Sequence, residues 1–113
     1  MKEFIKEDII KYVKNYPDCT FSELVFSLSK SYEISGKMAL YLRENLILWE
    51  GCTSDFNNAM SELINSSQIT LVPLSEQKAL LVYSYSGNII NLPIAKKVMD
   101  YKKPHWLPTI IKI

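Results

Sequence analysis

Apolar residues recur at helical spacing from the start of the chain. Ile5, Ile9, Tyr12, Val13 and Tyr16 fall on one side of a helix predicted over residues 3–16, with Glu3, Glu7, Lys11 and Lys14 on the other. Pro17-Asp18 ends it. A second helix is expected from Thr20, where Thr20-Phe-Ser-Glu23 has the spacing of a capping box, and Phe21, Leu24, Val25 and Leu28 form its stripe. A third follows Ile34-Ser35-Gly36 and runs to about Trp49. Apolar residues surround most of it, which predicts a buried central helix with Lys37, Arg43 and Glu44 as its polar strip. Glu50-Gly-Cys-Thr53 makes a short break. Ser54 then suits an N-cap and Asp55 the positive end of a fourth helix over about 54–66. Phe56, Ala59, Met60, Leu63 and Ile64 make one face of that helix. Ser54, Asn58, Ser61 and Asn65 make the opposite one, flanked by Asn57 and Glu62.

The period then changes from 3.6 to 2. Ile69, Leu71 and Pro73 alternate with Thr70 and Val72, predicting a strand. Ser75–Lys78 reads as a turn. Residues 80–85 read as a central strand, apolar on both faces. Ser86-Gly87-Asn88 is a second turn signal and Ile89–Leu92 a third short strand. From Ala95 the chain is basic and irregular. Pro104 and Pro108 exclude a regular helix across 102–109, and Thr109–Ile113 fits a terminal strand.

These 113 residues fit one domain, and a composition 48% hydrophobic and 22% charged can build a core. No apolar run approaches the roughly 20 residues of a membrane span. The charged N-terminus, MKEFIKEDIIKYVKN, does not fit a secretory signal, so a cytoplasmic protein with no membrane partner is expected. Two cysteines and one histidine are too few for a structural zinc site, and Cys19 and Cys52 are expected free and buried. Gly36, Gly51 and Gly87 are isolated, so no phosphate loop or other cofactor site is expected. Cys52 with His105 is a dyad that can be drawn on paper, but nothing in the spacing brings the two together. A non-enzyme is expected. The net charge of +1 conceals an asymmetry. Residues 1–68 hold 7 basic and 10 acidic residues, whereas 69–113 hold 6 basic and 2 acidic, which suits an anionic partner or a solvated basic tail.

The segment FNNAMSELINSSQITLVPLSEQKALLVYS resembles the recognition-helix-to-wing passage of winged helix-turn-helix proteins. The resemblance covers roughly residues 3–85. It implies an α+β fold, mainly helical. Three to four helices would precede a small antiparallel hairpin or three-stranded sheet and an irregular tail, with a winged-helix domain over 1–95 and a basic aromatic extension over 96–113 packed on it or exchanged with a second copy. It also implies double-stranded DNA binding in a transcriptional role. Ser54, Asn57, Asn58, Ser61 and Asn65 would face bases, Gln77 and Lys78 would sit on the wing, and Lys37 and Arg43 would meet the backbone. Lys96, Lys97, Lys102 and Lys103 would add phosphate contacts. A two-fold homodimer would double that basic surface. The fourth helix, however, carries Asp55 and Glu62 and neither Lys nor Arg. The alternative is therefore a protein-interaction module, which predicts an exposed apolar patch around Tyr83, Tyr85 and Trp106.

Overall fold

Helix α1, Lys2–Asn15, buries Ile5, Ile9 and Val13 at the expected spacing of four and packs on the two helices that follow it in space. A computed structural model describes residues 2–85 and 90–113. After α1 the chain makes a two-residue strand, β1 (Cys19–Thr20), and enters α2 (Phe21–Leu28). The capping box is formed as expected: the Thr20 hydroxyl accepts from Glu23 N–H at 3.2 Å, and Glu23 accepts from Thr20 N–H at 3.0 Å. The Tyr32 hydroxyl donates to the Asp8 carboxylate at 2.5 Å, tying the end of α2 back to α1.

The largest departure from expectation lies at 36–49. No helix forms there. Residues Ser35–Arg43 and Leu46–Cys52 are β2 and β3 of an antiparallel hairpin, turned at Glu44-Asn45 with Asn45 at φ +60°. The segment is rich in helix formers, but tertiary packing overrides propensity. Leu40 is buried and Leu42 half-buried while Tyr41 and Arg43 are exposed, which is period two. Leu46–Trp49 are all buried because β3 is a central strand covered on both faces. A bulge at the start of β2 opposes both Ser35 and Met38 to Cys52. Gly36 permits it, since a Cβ there would lie 2.6 Å from the Cys52 carbonyl oxygen.

Helix α3 (Ser54–Asn65) and strand β4 (Thr70–Pro73) follow as predicted. The expected turn at 75–78 and strand at 80–85 are instead one helix, α4 (Glu76–Tyr85). Ser75 starts it, its hydroxyl accepting from Lys78 N–H at 3.4 Å and its carbonyl from Ala79 N–H at 2.8 Å. Only Ala79 and Tyr83 of its described side chains are buried, four residues apart, and the run Leu80–Val82 that suggested a strand lies exposed. The expected turn at 86–88 lies outside the described residues. Of the expected strand at 89–92, Ile89 also lies outside them, and Leu92 N–H bonds back to Ile90 in a tight bend.

Strands β5 (His105–Trp106) and β6 (Thr109–Lys112) come from the C-terminal segment and complete two three-stranded sheets. One sheet has the order β1-β6-β4, antiparallel throughout. The other has the order β2-β3-β5, with β5 parallel to β3. The architecture is thus α+β, with four helices and two small sheets among the described residues. The helix-turn-helix expected over 36–66 is not formed, because its first half is the β2–β3 hairpin. The expected wing loop is the first turn of α4.

Tyr83, fully buried, joins these parts. Its hydroxyl accepts from Phe21 N–H at 3.2 Å and donates to the Thr109 carbonyl at 2.9 Å, and its ring meets Trp106 edge-on at 5.1 Å and Trp49 at 6.4 Å. Tyr83→Phe leaves two buried backbone groups unpaired. We expect it to lower unfolding free energy by roughly 1–3 kcal/mol in urea titrations.

Burial, followed by the nearby Glu23 charge, pushes the Cys19 thiol from 9.0 to about 11. The hydrogen bond to Asp8 raises Tyr32 from 10.0 to about 12, and burial raises Tyr83. Each group holds its proton more tightly folded than unfolded. Their contribution is complete below the unfolded values and is lost as pH rises through the folded ones. Stability should therefore fall progressively between pH 9 and 12, and Cys19→Ser should flatten the lower part of that fall in denaturant titrations across alkaline pH.

Candidate binding surface

Helix α3 begins at Ser54, the residue expected to cap it. Thr53, not Ser54, is the N-cap. Its hydroxyl accepts from Phe56 N–H at 3.4 Å and donates to the Glu33 carbonyl at 3.2 Å. Phe56, Ala59, Met60 and Leu63 are buried, as expected. The five polar residues expected to read bases divide into two groups. Asn57 donates its side-chain amide to the Ala39 carbonyl at 3.0 Å, and Ser61 donates to the Asn57 side-chain oxygen at 3.3 Å. Both are half-buried and fasten α3 to β2. Ser54, Asn58 and Asn65 are exposed. Glu62 on the same helix pairs with Lys6 at 2.7 Å.

The basic residues collect mainly at the other end of the β2–β3 hairpin. Asn45 donates its side-chain amide to the Tyr101 carbonyl at 2.9 Å, and its own carbonyl accepts from His105 N–H at 2.8 Å. The Tyr101 ring stacks on His105 at 4.1 Å, and its hydroxyl donates to the Lys97 carbonyl at 2.9 Å. His105 Nδ1 lies 2.7 Å from the Lys103 carbonyl oxygen. A carbonyl only accepts, so this nitrogen carries the proton. These contacts hold 97–105 on the hairpin turn beside Arg43, whose guanidinium pairs with Asp100 at 2.7 Å. Lys96, Lys97, Lys102 and Lys103 are exposed, and none pairs with an acid among the described residues. Lys37 is exposed in the bulged start of β2, and Lys78 lies exposed in the first turn of α4. Gln77 in that turn shares a cavity of about 410 Å³ with Lys96, Pro73 and Leu74.

An adjoining groove of about 300 Å³ shares Pro73 with that cavity. Leu42, Ile64, Leu71 and Val98 line it. Sequence reasoning missed this groove, because its walls come from four separate elements. The one available signal was the exposed pair Val98-Met99 inside an otherwise basic tail. The apolar patch expected at Tyr83 and Trp106 does not exist as a surface: both are 0% exposed and belong to the core. The side chain of Tyr85, the third residue expected there, lies outside the described residues.

Cys52 and His105 are not a dyad. His105 is in register with Leu46 at the start of β3 and Cys52 ends that strand, which separates them by about 20 Å. Cys19 and Cys52 are free and buried, and burial raises the Cys52 thiol, which donates to the Met38 carbonyl at 3.4 Å. Among the described residues no cluster of His, Cys, Asp and Glu fits a metal ion, and no helix is long and apolar enough to cross a membrane. Comparison of the chain with protein-family models, curated proteins and solved structures gives no match.

The two asparagines that look alike in sequence should behave differently. Asn57→Ala should destabilise the fold by about 1 kcal/mol through the lost tie to β2, whereas Asn58→Ala should stay within about 0.5 kcal/mol. Thermal unfolding of the two variants checks this.

Proposed function

We propose that the chain is a small DNA-binding protein with a regulatory role that grips the duplex mainly through its phosphates. The observation that carries this reading is the basic end of the hairpin, where Lys96, Lys97, Lys102 and Lys103 stand exposed without acidic partners. Four such groups supply counterion release, the main source of DNA affinity. Ser54, Asn58 and Asn65 remain the polar residues of α3 available to base edges or sugars. Of the winged-helix resemblance, α1, α2, α3 and the passage from α3 into β4 support the reading. The hairpin in place of a helix before α3 argues for backbone contact over deep insertion of α3 in the major groove.

A second reading, a protein-interaction module, is favoured by one specific observation: the apolar groove beside β4.

Fluorescence anisotropy with a mixed-sequence duplex, from low to physiological salt, tests the DNA reading. The expected slope of log affinity against log salt is about −3 to −5, and Lys102→Ala with Lys103→Ala should reduce its magnitude by about 2. Asn58→Ala should leave the slope unchanged. Absence of binding at about 50 mM salt, where phosphate attraction is weakly screened, would sink general DNA binding by this chain.

A further inference from the structure

Strand β4 ends its sheet, with β6 on one side and no strand on the other among the described residues. Leu74 N–H, just past the strand, donates to the Pro108 carbonyl at 2.9 Å. In an antiparallel ladder the backbone groups of alternate residues point the same way. Thr70 and Val72 therefore face β6. The N–H and carbonyl of Leu71 and the carbonyl of Pro73 face outward, and none has a hydrogen-bond partner among the described residues. The apolar groove of about 300 Å³ lies against this strand, bordered by Leu42, Ile64, Leu71 and the exposed Val98. Lys96 lines the adjoining cavity together with Glu76, and Lys97 stands exposed next to Lys96 in the chain.

We infer that β4 and this groove receive an extended segment of a partner protein, added as a short strand, with an apolar side chain in the groove and an acidic one against Lys96 and Lys97. The inference rests on the second reading, that the chain is an interaction module. Three features select the occupant. Outward main-chain donors and acceptors recognise an extended peptide and give affinity independent of its sequence. The groove between them accepts one apolar residue. The two lysines outnumber Glu76 there and call for a carboxylate. A second copy fits less well: its edge strands β2 and β4 carry no acidic side chain to meet the lysines, and β2 adds the exposed Lys37. Pro73 offers no N–H, so the added strand is short.

The probe is a fluorescein-labelled synthetic octapeptide of alternating Val and Thr ending in two Asp, read by anisotropy and by NMR shift mapping on the full chain. It should perturb Leu71, Pro73 and Val98. Val98→Asp should weaken it about tenfold or more by placing a charge in the groove. Lys96→Glu with Lys97→Glu should weaken it by a similar factor and shift preference to a peptide ending in two Lys. A peptide N-methylated at the position facing Leu71 should lose binding. All three altered positions are exposed, and circular dichroism verifies the fold of each variant. Equal binding to Val98→Asp, or shifts confined to another surface, overturns the β4 site. A displayed random-peptide library separates the two levels. Binders that map away from β4 overturn this inference and leave the interaction reading standing. No binders from the library, together with no octapeptide binding, overturns both.

Discussion

The Tyr83 hydroxyl sits where three parts of the chain must meet. Its acceptor side takes the first N–H of α2, and its proton goes to a carbonyl in β6. In water each of these groups would have a partner, so a fold that buries them has to supply one. Tyr83 supplies both from a helix that offers little else to the core. Around it Phe21 stacks on Trp49 at 6.1 Å, and Trp106 closes the cluster from below. This cluster links the two sheets: Phe21 follows β1, Trp49 lies in β3, and Trp106 in β5. The phenol's polarity gives the aromatic cluster one permitted orientation, which apolar rings alone would not.

The C-terminal segment depends on the same arrangement. Composition marks it as a basic extension, yet β6 is the middle strand of one sheet and β5 an edge of the other. Its lysines alternate with residues that anchor it. Tyr101, His105 and Trp106 hold the backbone to the hairpin turn and the core, and the cations are left facing water. The basic segment is thereby held against the hairpin by its backbone at Tyr101 and His105.

The surface of α3 shows how one sequence pattern can serve two ends. Four Asn and Ser residues on one side of a helix suggest a reading face. Ser61, through Asn57, instead closes a hydrogen-bond chain to a β2 carbonyl that would otherwise lack a partner on the sheet's edge. Asn57 and Asn58 differ by one residue and by about 100° around the helix, and that rotation alone decides between fastener and free side chain.

What the sequence determined by itself was local and periodic. The stripe of α1, the capping box of α2, the amphipathic face of α3, the alternation of β4 and the terminal strand β6 were all legible, because each is specified by residues a few positions apart. The α+β class followed from those elements. Residues 36–49 were not legible as a hairpin, since Met, Ala and Leu favour a helix and a strand buried on both faces has no polar stripe to betray its period. The polar interruption Arg43-Glu44-Asn45 was the one local sign of a turn. Likewise α4 looked like a strand because Leu80–Val82 are apolar but exposed, so their pattern carried no information about the core. The basic tail was visible as composition, but its attachment to Asn45 was not. The groove at Leu42, Ile64, Leu71 and Val98 exists only as a meeting of distant segments. Only the tertiary structure could decide these, because burial, rather than local preference, determines which face of a segment its apolar residues define.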